Sequence, residues 1–187
     1  MATYSNADKT QTSAIFIGYD PKGISHKYTY CEIGRNQFMQ DIFVEDFESE
    51  LFTEAFKKYF GEISTSSRNW KMLFRQMNAE KDTTKAIMRV DGDTVIGFVM
   101  FCEIELQCIF FSEKFGYIRE LWVDTHYRRA GHGGHLMQTA EKYFADRKIP
   151  QMALNAITNS EEFYQKQGYS VNDVLFSQGT TVFTKRI

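Results

Sequence analysis

A short loop of arginines and glycines, placed between a strand pattern and a helix pattern, constrains this chain most. An apolar run ends at Val123-Asp124, and Arg128-Arg129-Ala130-Gly131-His132-Gly133-Gly134 follows, with a helix that begins near Gly133. Glycine adopts positive φ angles and lets the backbone approach a ligand closely. The free N–H groups and the dipole of a helix start attract anions, and arginines add charge-assisted hydrogen bonds. The loop therefore predicts a site for a pair of phosphates.

The composition is that of one folded domain. The chain has 187 residues, and its 22 basic and 24 acidic residues nearly balance, which favours neither a nucleic acid nor a membrane as partner. The three cysteines, Cys31, Cys102 and Cys108, lack a CxxC spacing and indicate a reducing compartment. No apolar stretch approaches the roughly 20 residues of a membrane span, and the first residues lack a signal-peptide pattern. A cytoplasmic protein is the prediction.

Hydrophobic periodicity predicts the elements of a mixed α/β domain. Two strands at 13–19 and 27–33 precede a long helix from about Phe38 to Phe60 and a second helix around Trp70 to Met77. Strands follow at 85–90, 94–105 and 115–124, with a longer connection over 103–116. After the glycine loop and its helix, the sequence predicts a strand at 152–157 and a short helix at 160–167. Two last strands lie near 170–176 and 180–186. This order predicts a mixed sheet with helices on both faces.

The position of the glycine loop argues against a nicotinamide or nucleoside triphosphate ligand. A dinucleotide-binding fold has its glycine loop after the first strand of a βαβ series. Here the loop follows a predicted antiparallel meander, deep in the chain. The spacings G-x-G-x-x-G and G-x-x-x-x-G-K-[ST] are both absent from the sequence.

Two motifs together resemble the GNAT (Gcn5-related N-acetyltransferase) family. In the first, Arg128, Gly131 and Gly133 fill the defining positions of [QR]-x-x-G-x-[GA] between a strand and a helix. In the second, Phe163-Tyr164-Gln165-Lys166-Gln167-Gly168-Tyr169 resembles F-Y-x-K-x-G-[FY], about 35 residues downstream. The resemblance implies the GNAT acyl-CoA N-acyltransferase fold, a mostly antiparallel sheet whose fourth and fifth strands splay apart, with helices on both faces.

The resemblance also implies a domain organisation. It covers residues 84–187 well and residues 28–82 in element order only. Residues 1–27 are then an N-terminal extension, a mobile tail with an extra strand, in front of a single acetyltransferase domain at 28–187.

The cofactor that the resemblance implies is acetyl-CoA. Backbone N–H groups at about 132–136 would hold the pyrophosphate, and the pantetheine arm would run beside the strand that ends at Val123. The implied cofactor-binding residues are Leu121, Trp122, Val123, Arg128, Arg129, Ala130, Gly131, His132, Gly133, Gly134 and Asn159. Asn159 is equally well placed to cap a short helix.

Two side chains are the implied catalytic residues. Tyr164 matches the family's tyrosine that protonates the departing sulfur; the alternative is a packed ring with a satisfied hydroxyl. Glu120 is the candidate base or substrate anchor, with a structural salt bridge as the alternative. Alternation along the strand places Arg119 and Glu120 on opposite faces, so only one of them can face the acceptor cleft unless the splay twists the strand. Tyr117 stands where some relatives carry their base and would serve poorly, so water or another acid could replace it.

Other side chains in the chain leave alternatives open. No metal is predicted at His126, His132 and His135, because no carboxylate or thiol completes a ligand set. Acidic residues of the predicted first helix form either an acidic lid over the acceptor or a solvated face: Asp41, Glu45, Asp46, Glu48, Glu50 and Glu54. Phe110 and Phe111 line either the acceptor cleft or a homodimer contact.

The predicted activity is N-acetyl transfer from acetyl-CoA, by direct attack, to a primary amine of a small cationic molecule or a lysine side chain. The alternative is a non-catalytic acyl-CoA-binding sensor or regulatory module. A third reading, acetylation of aminoacyl-tRNA or ribosomal protein, needs a basic face that the balanced charge does not supply.

Overall fold

The computed structural model describes residues 18–19, 25–26, 39–107, 112–157, 160–172 and 181–187. The chain divides into two units, Met1–Asn36 and Gln37–Ile187. In the first unit, Gly18–Tyr19 (β1) pairs antiparallel with Ser25–His26 (β2). The rest of the strand predicted at 13–19 and all of that at 27–33 lie outside the described residues. The domain boundary predicted after residue 27 stays a prediction.

The second unit is built on one mixed sheet whose strands lie in the order β3-β4-β5-β6-β7-β9-β8. The strands are β3 (Met39–Phe43), β4 (Thr84–Asp91), β5 (Thr94–Gln107), β6 (Ser112–Val123), β7 (Gln151–Ala156), β8 (Ser170–Val171) and β9 (Thr181–Arg186). The helices are α1 (Glu50–Ile63), α2 (Trp70–Ala79), α3 (His132–Asp146) and α4 (Glu161–Lys166). Strands β6 and β7 run parallel, and the other neighbouring strands run antiparallel. The predicted mixed α/β fold is thus confirmed.

The long helix predicted from Phe38 to Phe60 is wrong in its first part. Met39–Phe43 is the edge strand β3, which pairs antiparallel with β4, and the helix begins only at Glu50. Between them the Asp46 carboxylate accepts the Glu48 N–H at 2.8 Å, which turns the chain. The apolar residues of β3 happen to continue the four-residue spacing of α1, and pairing with a strand distant in sequence overrides that pattern.

The connection predicted over 103–116 is instead a continuation of the β5–β6 hairpin. The two strands stay paired from Glu103 opposite Gly116 to Gln107 opposite Ser112. Phe110, Phe111 and Cys108 lie outside the described residues, so their predicted roles stay predictions. The hairpin makes β6 twelve residues long, and β6 forms one wall of the site described below.

Two apolar clusters cover the two faces of the sheet. Helices α1 and α2 pack on one face, where Phe52 and Phe98 are fully buried. Helices α3 and α4 pack on the other face, around the fully buried Leu136, Phe144 and Phe183. Burial of a side chain of this size stabilises a fold by about 1.5–3 kcal/mol. The sheet therefore separates the surroundings of α1 and α2 from those of α3 and α4.

Strands β6 and β7 part soon after they meet. They pair at Gly116, Tyr117 and Ile118, and among the described residues the pairing goes no further. Gly116 lets the Phe144 ring of α3 lie directly against the strand, since an added Cβ would stand 2.5 Å from that ring. Beyond Ile118, the backbone of β6 from 119 to 123 has no β7 neighbour, so an edge opens in the middle of the sheet.

Candidate active site

The loop before α3 combines two left-handed residues with a helix start. Arg129 has φ 64° and Gly131, the residue that precedes the helix, has φ 86°. The His135 N–H donates to the Gly131 carbonyl at 3.0 Å, so the first intrahelical bond begins there. Helix geometry leaves the N–H groups of 131–134 without intrahelical acceptors. Of the N–H groups predicted as donors, at 132–136, those of 132–134 therefore lack an acceptor within the helix. The N–H group of Gly131 lacks one as well.

Gly133 and Gly134 have a packing role that the sequence did not predict. Their φ angles are negative, and they allow α3 to lie close to α4. A Cβ on Gly133 would stand 3.3 Å from the Phe163 ring, and one on Gly134 would stand 3.2 Å from the Gln167 amide. The two motifs seen in the sequence are therefore in contact, because the start of α3 packs on the helix that carries Tyr164.

The two arginines of the loop differ in their surroundings. Arg128 Nε donates to the Val123 carbonyl at 2.8 Å, and its Nη2 donates to Glu62 of α1 at 2.5 Å. Arg129 and Ala130 are exposed. Arg128 is therefore fixed over the end of β6, whereas Arg129 is left to the solvent side of the loop.

The histidines of α3 point away from the loop opening. His132 is 9% exposed, and its Nδ1 accepts a hydrogen bond from Arg89 Nε at 3.2 Å. Burial, with the Arg89 charge beside it, lowers the pKa of His132, so the ring is neutral. His135 contacts the Asp41 carboxylate at 2.5 Å. In the described part of the chain, no group of three His, Cys, Asp or Glu side chains could hold a metal ion.

A β-bulge in β6 brings two neighbouring charged residues to the same face. Met100 of β5 pairs with Glu120, and the next residue, Phe101, pairs with Ile118, so Arg119 is the extra residue. Strict alternation had placed Arg119 and Glu120 on opposite faces, and that expectation is wrong. Both line one cavity on the side of α1 and α2, and Arg119 Nη1 donates to Thr84 Oγ1 at 2.8 Å.

Beyond the bulge, β6 presents alternate residues to the two faces. Leu121 and Val123 pack with the α3 cluster. Trp122 is buried in the α1–α2 cluster, where its ring lies 5.5 Å from that of Phe98. Three residues were predicted to flank the pantetheine arm. The side chains of Leu121 and Val123 lie on the same face of the sheet as α3 and the glycine loop. The Trp122 side chain lies on the opposite face, so only its backbone is available on the α3 side.

Glu120 is held in a partly buried place at the open end of β6. Burial raises the pKa of its carboxyl group, and the Tyr59 hydroxyl and the Arg119 charge oppose that rise without cancelling it. The Tyr59 hydroxyl of α1 donates to Glu120 Oε2. A carboxylate with a raised pKa is a better proton acceptor near neutral pH than an ordinary one.

Tyr164 approaches the same opening from α4. Its ring packs on Phe163, Tyr169 and Phe183, with ring centroids 5.0, 6.2 and 6.2 Å away. Burial, and next the Glu120 charge, raise the pKa of Tyr164 to about 12, so its hydroxyl is a proton donor. The predicted acid and the predicted base are thus close enough to influence each other, although 44 positions separate them in the sequence.

A cavity of about 150 Å³ lies beside Glu120, between the sheet and the helices α1 and α2. Its lining combines four apolar with five polar or charged side chains: Phe56, Leu73, Met77 and Met100, and Gln76, Glu80, Thr84, Arg119 and Glu120. Arg119 and Glu80 are 4.0 Å apart, and both are half-exposed. With one cation and two carboxylates, the cavity lining carries a net negative charge when Glu120 is ionised.

The acidic lid predicted for the first helix does not form as one surface. Of its six residues only Glu50 and Glu54 lie on α1, and both are exposed. Asp41 lies instead on β3, where Arg89 Nη1 donates to it at 2.8 Å. The acidic groups near the cavity are Glu80 and Glu120, which the sequence pattern of that helix could not reveal.

Polar side chains of α1 bind the end of β6 and the loop after it, a feature that the sequence did not predict. Besides the Tyr59–Glu120 contact, Lys58 Nζ contacts Asp124 Oδ2, and Glu62 binds Arg128. Asp124 is 4% exposed and also accepts the His126 N–H at 3.0 Å. Burial would raise the pKa of Asp124, but the hydrogen bonds from Lys58 and His126 bring it below its usual range.

The remaining predicted residues have limited parts in this geometry. Asn159 lies outside the described residues, and its assignment stays a prediction. Burial raises the pKa of the Cys102 thiol. Since the thiolate is the nucleophilic form, this disfavours an acyl-cysteine route through Cys102. Tyr117 is half-buried and its pKa is also raised by burial, so it is a poor base, as the sequence indicates.

The mixed sheet with its parted β6 and β7, and the glycine loop before α3, are features of the acyl-CoA N-acyltransferase fold. The Acetyltransferase (GNAT) family matches the chain over residues 37–169, and the chain belongs to that family. This confirms the predicted enzyme class, an N-acetyltransferase that uses acetyl-CoA. Comparison of the sequence with curated proteins gives no match.

Solved structures with the same fold are distant in sequence. One is PaiA N-acetyltransferase from Thermoplasma acidophilum in complex with coenzyme A, 17% identical, with a TM-score of 0.54 over 80% of this chain and 100% of that one. Another is Arabidopsis thaliana NAA60 in complex with a bisubstrate analogue, 16% identical, with a TM-score of 0.60 over 79% and 98%. A predicted acetyltransferase with acetyl-CoA from Clostridium acetobutylicum is 16% identical, with a TM-score of 0.63 over 75% and 95%. At these identities the likeness shows the fold alone.

In the part of the chain that the structure describes, the helices are too short or too polar to cross a membrane.

Proposed function

We propose that the enzyme acetylates a primary amine, either of a small cationic molecule or of a lysine side chain. The supporting observations are that Glu120 lines a cavity that also carries Arg119 and Glu80, and that its charge acts on the Tyr164 hydroxyl from across the parting of β6 and β7. A cavity of about 150 Å³ has room for the tail of an alkylamine, and cavities of that volume also accept a ring the size of benzene.

The donor side of the proposed site is the loop before α3. The open N–H groups of 131–134 and the helix dipole would bind the pyrophosphate of acetyl-CoA, supported by Arg128 and Arg129. The pantetheine arm would lie along the free backbone edge of β6, at Leu121, Trp122 and Val123. The thioester would then lie beside Glu120. The Glu120 side chain is on the face of the sheet that α1 and α2 cover, opposite the face that α3 covers.

The proposed reaction is direct attack. A free alkylamine has a pKa of about 10.4 and is mostly protonated at neutral pH, so it must first give up a proton, to Glu120 directly or through water. The amine nitrogen then forms a bond to the thioester carbonyl carbon, and the carbon–sulfur bond breaks. The Tyr164 hydroxyl protonates the departing thiolate, the nitrogen loses its second proton to water, and water returns a proton to the Tyr164 oxygen. The products are the N-acetylated amine and coenzyme A.

Thiol release from acetyl-CoA, followed alongside mass spectrometry of the acceptor, tests this function. The panel should contain alkyl diamines, polyamines, aminoglycosides, amino acids and lysine peptides. We expect small cationic amines or lysine side chains to be acetylated, with one thiol released per acetyl group transferred. If no amine is acetylated while acetyl-CoA still raises the melting temperature, the protein is the alternative acyl-CoA-binding sensor. Cytoplasmic location, a homodimer and the N-terminal extension at 1–27 stay predictions.

A further inference from the structure

Tyr59 is a buried residue of α1 that the reaction proposed above does not use. It is 8% exposed, and its ring is held between two others, with the Phe56 and Phe98 centroids each 5.5 Å away. Its hydroxyl nevertheless reaches through this apolar cluster and donates to Glu120 Oε2. A buried ring cannot follow a mobile partner, so the position of this hydroxyl is set by the packing of α1 on the sheet.

The surroundings of Glu120 make this contact its main restraint. In the described part of the chain, the Tyr59 hydroxyl is the one hydrogen-bond donor to the Glu120 carboxylate. The titratable groups that face Glu120 come from every element around it: Tyr59 of α1, Glu80 at the end of α2, Tyr117 and Arg119 of β6, and Tyr164 of α4. Arg119 acts on Glu120 through its charge and gives its hydrogen bond to Thr84 instead.

We infer that Tyr59 is a positioning residue for acetyl transfer, which fixes one oxygen of Glu120 and leaves the other oxygen for the acceptor amine. The inference rests on the proposed role of Glu120 as the base. The neighbouring contacts of α1 support it, because Lys58 binds Asp124 and Glu62 binds Arg128 from the same two helical turns. Helix α1 therefore holds the carboxylate and the phosphate loop in a fixed relation.

The hydrogen bond also acts on the proton affinity of Glu120. Burial raises the pKa of Glu120, and the Tyr59 hydroxyl partly offsets that rise because it stabilises the ionised form. Burial raises the pKa of Tyr59 itself, so Tyr59 stays protonated and remains a donor at all working pH values. Removal of the hydroxyl should therefore raise the pKa of Glu120 further and leave its carboxylate free to rotate.

The Tyr59→Phe variant tests the inference, with Tyr143→Phe as the matched control. Tyr143 is a half-buried tyrosine of α3 that packs on the other face of the sheet. For Tyr59→Phe we expect kcat to fall about tenfold, and the acid limb of the kcat/KM profile to move up by about one pH unit, the usual size of a hydrogen bond to a charged group. Ionisation of the amine is common to all variants, so the difference reports on Glu120. The KM for acetyl-CoA should not change.

The outcomes separate this inference from the proposed function. If the wild-type enzyme acetylates amines but Tyr59→Phe keeps its pH profile and kcat, Tyr59 does not position Glu120. If the wild type accepts no amine, the proposed function fails first. A Tyr59→Phe protein that does not fold gives the hydroxyl a structural role and also overturns the inference. In a Glu120→Gln background, Tyr59→Phe should lower kcat by less than twofold, whereas a full tenfold loss there would contradict the coupling.

Discussion

Replacement of Gly131 by alanine tests whether the phosphate loop must be left-handed at its last residue. Gly131 has φ +86°, and an added Cβ would meet no heavy atom within 4 Å, so the whole cost of the methyl group is backbone strain. A left-handed conformation costs an L-residue about 1–2 kcal/mol. The variant either keeps the loop geometry and loses that much stability, or relaxes the loop while acetyl-CoA is absent.

A relaxed loop would transfer the same free energy to cofactor binding. Acetyl-CoA would have to restore the left-handed geometry, and 1–2 kcal/mol corresponds to an affinity lower by about 5- to 30-fold. We therefore expect the loss in the free energy of unfolding and the loss in the free energy of binding to add to about 1–2 kcal/mol. Urea denaturation measures the first quantity, and calorimetric titration with coenzyme A measures the second.

Gly92 provides the matched control. It lies in the β4–β5 turn with φ +58°, and an added Cβ there also meets nothing within 4 Å. Gly92→Ala should carry a similar strain and leave the affinity for coenzyme A unchanged. Gly131→Asn should recover part of the loss, because asparagine tolerates the left-handed region. The reasoning is refuted if Gly131→Ala changes neither quantity, or if Gly92→Ala weakens coenzyme A binding equally.

Three further predictions concern packing, pH and chemistry. Gly116→Ala should lower the free energy of unfolding by about 1–3 kcal/mol, because its Cβ would stand 2.5–2.6 Å from the Phe144 ring; a urea midpoint equal to that of the wild type would exclude this collision. Asp124→Asn should be less stable than the wild type at pH 7. Because folding depresses the pKa of Asp124, the stability difference should persist at pH values above about 3.9, the pKa of this group in the unfolded chain. It should vanish as the pH falls through the lower pKa of the folded protein. Denaturation at several pH values measures the difference, and a difference that does not change with pH would contradict the reasoning. Tyr164→Phe should lower kcat by about 10²–10⁴-fold with unchanged coenzyme A affinity in stopped-flow and titration experiments, and an unchanged kcat would remove Tyr164 from the chemistry.

The sequence predicted the second half of the fold well because its signals there are local. A turn separates β4 from β5, the glycine loop precedes α3, and Gly168 follows α4, so each element has a visible boundary. Strand β3 was missed because its apolar residues share a four-residue spacing with α1. What distinguishes them is pairing with β4, more than 40 residues later, which no local pattern contains.

In the candidate site, too, the residues with a local sequence signal were predicted, and the contacts between residues distant in sequence were not. Arg128, Gly131 and Tyr164 stand in motifs of defined spacing and were found from the sequence. The contact of Tyr59 with Glu120 spans 61 positions and joins a helix to a strand, so it depends on packing alone. The close fit of Gly133 on Phe163 likewise has no sequence signal, since a glycine needed for contact looks the same as a glycine needed for a turn.

In the proposed site, the extra residue in β6 means that strand length, more than side-chain chemistry, determines which reactant each residue would face. Side chains alternate between the two faces of the sheet along residues 112–118 and again along 120–123. Because Arg119 is an extra residue, the even-numbered residues before it and the even-numbered residues after it face opposite sides. A point substitution leaves this phase intact. An insertion after Glu120 that the sheet accepted without a new bulge would turn Leu121 and Val123 toward the acceptor and Trp122 toward the donor. In this strand a change of one residue in length would exchange the two walls of the active site, which no exchange of side chains could do.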